Sequence, residues 1–175
     1  MKGTISACLL EMTDVRYGAA VSQTIVEASG LDEFKLRSPL SEIPDSDFMK
    51  LLGATLSTTK KSLEAIADEF GEFWCCTYAP RVYKSVVSTF KNSRDLLLGL
   101  DKVHVMMTKA YKNAHPPRFD YQWQSDNLLK VTYKSDRNMI DLYVGLARGV
   151  GKYFKERLVV RKVDDSTVTI QFFPA

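Results

Sequence analysis

The chain has 175 residues, 45% of them hydrophobic and 26% charged, a composition that fits one soluble globular domain with a sizeable core and excludes disordered and fibrous classes. Lys and Arg number 24 against 21 Asp and Glu, so the formal charge is only +3, and the bases are interspersed with acids; nothing here marks a nucleic-acid footprint. The three cysteines, Cys8, Cys75 and Cys76, are an odd number whose adjacent pair is poorly suited to a mutual bridge, which points to reduced thiols or to a redox-sensing Cys75 or Cys76.

The N-terminal run MKGTISACLLEMTDVRYG carries one early lysine and a short apolar stretch. Glu11, Asp14 and Arg16 interrupt it before a signal-peptide core or membrane span can form, so a cytoplasmic protein without membrane contact is expected. Apolar residues at Ile5, Leu9, Met12 and Val15 predict a helix over 3–17, and a second helix is predicted over 20–29, stopped by Gly30. Residues 36–44 read as loop. Asp45 or Ser46 is placed to cap a helix through Leu56, and Ser57, Thr58 or Thr59 to cap the next, which ends at Phe70 before Gly71 punctuates the chain. The stretch EFWCCTYAPRVYKSVVSTF is dense in core-filling aromatics, among them Trp74 and Tyr78, with short helices expected on both sides of Pro80.

The segment SRDLLLGLDKVHVMMTKAY reads as the organising helix, because Leu97, Leu100, His104, Met107 and Tyr111 recur at steps of three and four and draw one apolar stripe. Pro116 and Pro117 cannot continue it, which sets its end at Asn113. An imidazole in the middle of that stripe needs either a hydrogen-bond partner or a metal, since a buried polar nitrogen left unpaired costs about 1–3 kcal/mol. With His104 and His115 as the only histidines and no Cys-x-x-Cys pair, a structural zinc site lacks ligands, whereas a lone axial histidine suits a haem iron whose other four nitrogens come from the macrocycle.

From Arg118 the period changes to alternation. FDYQWQ and LLKVTYK flank the turn pair Asp126–Asn127 and predict a hairpin; helical spacing returns over 138–154 through Met139, Leu142, Tyr143, Leu146 and Val150; RLVVRKVDDSTVTIQFF predicts a second hairpin turning near Asp164–Ser166. The class is therefore α+β, with a helical N-terminal two-thirds and a four-stranded antiparallel sheet interrupted by one helix. Tyr133, Ser135 and Arg137 lie at alternate positions where the second strand runs out, so two hydroxyls and a guanidinium project to one side. They read either as a solvated strand end or as a set matched to an anion such as a carboxylate.

MKGTI at the start, SPLSEI at 38–43, LDKVH at 100–104, HPPRF at 115–119 and YKSDRNMIDLYVGL at 133–146 together resemble the haem nitric oxide/oxygen binding (H-NOX) family, related to the sensor domain of soluble guanylate cyclase, over essentially the whole chain. The resemblance implies one sensor domain over 1–175, with haem b buried between helical and sheet-containing parts. It implies that His104 is the proximal iron ligand and that Tyr133, Ser135 and Arg137 hold the haem propionates, with Asp45 in the place of an acid that pairs with that arginine. Pro117 and Ile5 correspond to residues that press on the porphyrin. The position of the distal tyrosine found in oxygen-binding members is Leu142 here, Leu9 replaces an indole and Trp74 replaces an asparagine. Tyr143, one residue on, is turned about 100° away.

Bound dioxygen depends on a hydrogen-bond donor more than nitric oxide or carbon monoxide does, so the resemblance implies a gas sensor for nitric oxide and carbon monoxide that excludes oxygen and is not an enzyme. It implies signalling to an effector such as a histidine kinase, a cyclic-di-GMP enzyme, a chemotaxis receptor or a nucleotide cyclase. Two competing readings are an oxygen-binding domain that uses Trp74 or Tyr78 as donor and a peroxidase-type haem enzyme, for which His115 in the proline corner is poorly placed. A third is a regulatory domain that holds no haem, against which His104 and the Tyr133, Ser135 and Arg137 set argue.

Overall fold

Helix α1 spans Gly3–Tyr17 and is buried on almost every side, with Ser6, Cys8, Leu9, Leu10, Met12 and Thr13 all at 1% exposure or less. The expected stripe through Ile5, Leu9, Met12 and Val15 is not the buried face, since Ile5 is half-buried and Val15 is 68% exposed. A helix enclosed by its neighbours has no solvent face to set a period. The structure is a computed structural model that describes residues 2–109 and 115–173, and the chain divides within it into two compact units, Met1–Ile66 and Ala67–Ala175.

In the first unit α1 packs against α2, Ala19–Ser29, and α3, Glu33–Arg37. Its buried hydroxyls are satisfied locally: Ser6 Oγ donates to the Leu36 carbonyl at 2.8 Å, and Thr13 Oγ1 donates to Ser22 Oγ at 3.0 Å. Arg37 reaches from α3 to Asp14 of α1 and to Glu33, each at 2.7 Å, and these partners, Asp14 first, raise its pKa. Helix α4 runs Asp45–Thr59, three residues past the expected end at Leu56, with Pro44, and not Asp45 or Ser46, at its cap position. Ser57 and Thr59 return their hydroxyls to carbonyls of their own helix, and Ser62 caps α5, Leu63–Phe73, by accepting from the Ala65 N–H at 3.2 Å. The boundary between the units falls inside α5.

In the second unit Gly71 lies within α5 and does not end it. A Cβ there would sit 2.0 Å from the Gly145 carbonyl oxygen, and one on Gly145 would sit 2.0 Å from that of Ala67, so α5 crosses α9, Ile140–Phe154, with backbones in contact. The chain then widens into a π turn at Trp74–Tyr78 before α6, Ala79–Val82, and α7, Lys84–Val87. Pro80 sits inside this helical path and does not separate two helices. Proline lacks an N–H and crowds the carbonyl four residues back, and widening the preceding turn, where the Ala79 N–H reaches the Trp74 carbonyl, relieves both.

Helix α8 is Ser93–Thr108; its expected end at Asn113 lies outside the described residues. Strands β1, Arg118–Ser125, and β2, Leu128–Lys134, form the first hairpin, and β3, Leu158–Lys162, and β4, Thr167–Phe172, the second. All neighbours are antiparallel in the order β1-β2-β4-β3. One face of the sheet presents Phe119, Leu129, Val131, Val160, Val168 and Ile170 to a core completed by Ile140, Tyr143, Val144, Ala147 and Val150 of α9 and by Leu97 of α8. The fold is α+β with a four-stranded antiparallel sheet.

Candidate functional site

Helix α8 is anchored at its start by Asn92, whose side chain accepts from the Asp95 N–H at 2.8 Å, and by Glu156, which accepts from the Ser93 N–H at 3.0 Å. Leu97 faces the core and Tyr121 Oη donates to its carbonyl at 2.8 Å, which ties the helix to β1. Of the predicted stripe, Leu97 is buried and Leu100 and His104 are half-buried, while the side chain of Met107, and Tyr111, lie outside the described residues.

His104 has a defined tautomer. Its Nδ1 lies 3.3 Å from the Pro117 carbonyl oxygen, and a carbonyl can only accept, so Nδ1 carries the proton and Nε2 carries a lone pair. Burial draws the imidazole pKa below the ordinary histidine value, which favours the neutral ring that a metal requires. Phe119 packs against the ring at 5.7 Å between centroids. Three residues before the histidine, Asp101 takes Arg118 in a two-pronged ion pair, both contacts at 2.6 Å, and accepts from the Phe119 N–H at 3.3 Å. The Arg118 guanidinium holds the Asp101 carboxyl below the usual carboxylate range. The start of β1 is thereby fixed to the turn of α8 that carries His104.

Tyr133, Ser135 and Arg137 come together, though not by strand alternation. β2 ends at Lys134, and a turn through Asn138, with φ of +49°, gathers the three. Tyr133 is buried and its hydroxyl is hydrogen-bonded to the Ser135 side chain; burial, partly offset by that bond, raises its pKa. The Arg137 N–H donates to Ser135 Oγ at 3.3 Å, and its guanidinium donates to the His115 carbonyl at 2.7 Å, so the cluster touches the same proline corner that positions His104. Two hydroxyls and a guanidinium in one place suit an anion with several acceptor oxygens. A single neutral imidazole with a free Nε2 lone pair and a separate carboxylate-matched set fit haem: the imidazole offers one axial bond, and propionates supply the anions.

Leu142 is buried in α9, and Leu9 is buried and Ile5 half-buried in α1 of the first unit; none carries a donor. The π turn brings Trp74 and Tyr78 into a stack at 5.4 Å, flanked by Phe70 and Tyr83 at 5.9 and 6.1 Å from the indole. Asp45 opens α4 in the first unit and is exposed. Sequence reading overlooked two features. The Asp101–Arg118 clamp has a signal in the sequence, an acid one turn before the histidine and a base directly after the two prolines. Tyr143 has none: it packs on Phe119 at 4.9 Å and on Tyr133 at 6.0 Å, with its hydroxyl buried and without a hydrogen-bond partner among the described residues.

No curated protein sequence matches the chain. Solved structures do. An oxygen-binding H-NOX domain related to soluble guanylate cyclases, in its oxygen complex, is 27% identical, with 98% of this chain and 95% of that one covered at a TM-score of 0.83. An I5F variant of the T. tengcongensis H-NOX protein is 26% identical over 98% of this chain and 97% of that one, again at 0.83. The unliganded Fe(II) H-NOX protein of K. algicida, at 21% identity, shares the fold over 100% of this chain and 98% of that one, at 0.83. The sequence profile described as Haem-NO-binding matches residues 2–162. That profile covers nearly the whole chain, and the chain belongs to the family: it is an H-NOX domain, of the haem-based gas-sensor family.

Proposed function

We propose that both units act as one sensor domain that binds nitric oxide and carbon monoxide at ferrous haem b and excludes oxygen. The observation that carries this reading is the hydrogen bond from His104 Nδ1 to the Pro117 carbonyl, which leaves Nε2 as the one ring atom able to serve as proximal ligand. Haem supplies an open iron coordination position for a diatomic gas. The chain's part is to hold and to discriminate. Tyr133, Ser135 and Arg137 take the propionates, and Pro117 and Ile5, by their place in the family pattern, press on the porphyrin. Leu142 and Leu9, at the positions where the family pattern has the distal tyrosine and an indole, carry no hydrogen-bond donor, and retention of oxygen depends on a donor worth about 1.5 kcal/mol, roughly tenfold in affinity.

Signal output follows from the same histidine. Helix α8 is restrained beyond Leu97 by His104 Nδ1 and by Asp101, so a change in what Nε2 holds alters the restraint on one turn of one helix, which an effector such as a histidine kinase, a cyclic-di-GMP enzyme or a chemotaxis receptor would read. The chain would work as a sensor and not as an enzyme. A second reading is favoured by the Trp74–Tyr78 stack, which places an indole N–H and a phenol in one turn and would supply an oxygen donor if either reached the ligand. His104→Gly tests the ligand assignment: haem should be retained only with added imidazole, followed by the Soret band. Haem binding like that of the wild type without imidazole would remove His104 from the role.

A further inference from the structure

The face of the sheet opposite the core is polar, cationic and open. Register places Lys130 of β2 and Arg161 of β3 on either side of Thr169 of β4, facing away from the buried Leu129, Val131 and Ile170. One strand spacing on each side puts the two cations about 10 Å apart. Beside them a groove of about 490 Å³ is floored by Leu128, Val159 and Phe173. A third cation, Arg157, lies over the Phe173 ring at 4.5 Å. Among the described residues none of these three bases has a carboxylate partner, whereas Arg37, Arg118, Lys134, Arg148, Lys152 and Lys162 each do. Three bases without a carboxylate partner thus surround one apolar groove on this face.

We propose that this outer sheet face is a docking surface for an acidic segment of a partner protein that also carries an apolar anchor. In an extended segment, side chains two apart project to one side at a spacing of about 7 Å. A run of the form Glu-x-Glu-x-Phe therefore lays two carboxylates against the flexible ends of Lys130 and Arg161 and drops the aromatic ring into the groove beside Phe173 and Arg157. Charge complementarity selects the partner and speeds encounter, while the apolar sill sets residence. The proposal is independent of the haem reading, because every residue it uses lies on the face turned away from Tyr133, Phe119 and Tyr143.

The test uses the full chain and a fluorescein-labelled synthetic peptide of the pattern Glu-x-Glu-x-Phe, titrated by anisotropy. Binding should weaken at least about tenfold in a variant carrying Lys130→Glu and Arg161→Glu. It should be unchanged in Lys91→Glu, an exposed base away from the face, and should fall with salt and disappear for a peptide with Gln in place of both Glu residues. Far-UV circular dichroism and haem content are expected to be unaltered in the variants. Amide shift mapping on the wild type gives a second readout that needs no variant, with changes expected at Lys130, Arg161, Thr169 and Phe173. Absence of peptide binding, equal loss in Lys91→Glu, or shifts confined to other surfaces would overturn the proposal. So would tighter, Arg161-dependent binding to phosphatidylserine vesicles or to oligothymidine, which would assign the face to a membrane or to single-stranded nucleic acid.

Discussion

His104 and Tyr143 show two ways a polar atom is treated in the same core. The imidazole donates from Nδ1 to Pro117, which leaves Nε2 unprotonated, while the phenol of Tyr143 is buried with no partner among the described residues, between Phe119 and Tyr133. A buried hydroxyl without a hydrogen bond costs about 1–3 kcal/mol, so Tyr143→Phe, which keeps the ring packing, should raise stability by about 1 kcal/mol in chemical denaturation. A loss of stability would mean that the hydroxyl has a partner in solution. Arg137 belongs to the opposite category. In the propionate role proposed for it, Arg137 would supply a charge-assisted hydrogen bond of about 1.5–3 kcal/mol, so Arg137→Ala should quicken haem transfer to apomyoglobin by about tenfold or more; an unchanged transfer rate would count against that role. At this scale the sequence was informative wherever a residue type is rare and its chemistry narrow, as with a histidine in an apolar stripe. Tyr143 was illegible, because nothing in an alternating or helical pattern says whether a buried phenol reaches a partner.

Helices and strands were legible where periodicity acts and obscure where backbone contact does. Both hairpins and α9 follow from alternation and helical spacing, and their turns fall near Asp126–Asn127 and Asp164–Ser166 as expected. The glycine at 71 was misread as a stop, since in sequence a glycine that ends a helix and one that lets two helices touch look the same. Its true role predicts that Gly145→Ala, whose methyl would lie 2.0 Å from the Ala67 carbonyl, forces α5 and α9 apart at a cost of about 3 kcal/mol. A stability within about 0.5 kcal/mol of wild type would show that the crossing yields easily. The π turn before Pro80 was also missed. Proline announces a disturbed helix, but whether the chain breaks, kinks or widens is decided by packing, here against α9, where Cys75 and Cys76 point their thiols to the Leu146 and Gly149 carbonyls. Burial raises the pKa of both thiols, which disfavours the thiolate that a redox sensor would use.

For the molecule as a whole, the second unit carries the histidine, the anion-matched cluster and the sheet, while in the first unit α1 is enclosed by its neighbours, which explains why its sequence lacks a stripe. Helix α8 is placed by contacts with long sequence separation: Ser93 to Glu156, Leu97 to Tyr121 and Asp101 to Arg118. The first two pairings are invisible to local pattern reading, and the third leaves only an acid before the histidine and a base after the prolines as its trace; the family resemblance rests instead on motifs spread from MKGTI to YVGL. The central claim is that haem is held by His104 in a site whose ligand side offers no donor at Leu142. It is tested most directly by reducing the haem-loaded protein, mixing one portion with air-saturated buffer and another with nitric oxide, and following the visible spectrum, with Leu142→Tyr alongside. The account predicts a stable nitric oxide complex, no persistent oxygen complex in the wild type, and partial oxygen binding once the tyrosine is introduced. A lasting split oxygen-type band pair in the wild type would contradict it and turn attention to Trp74 and Tyr78.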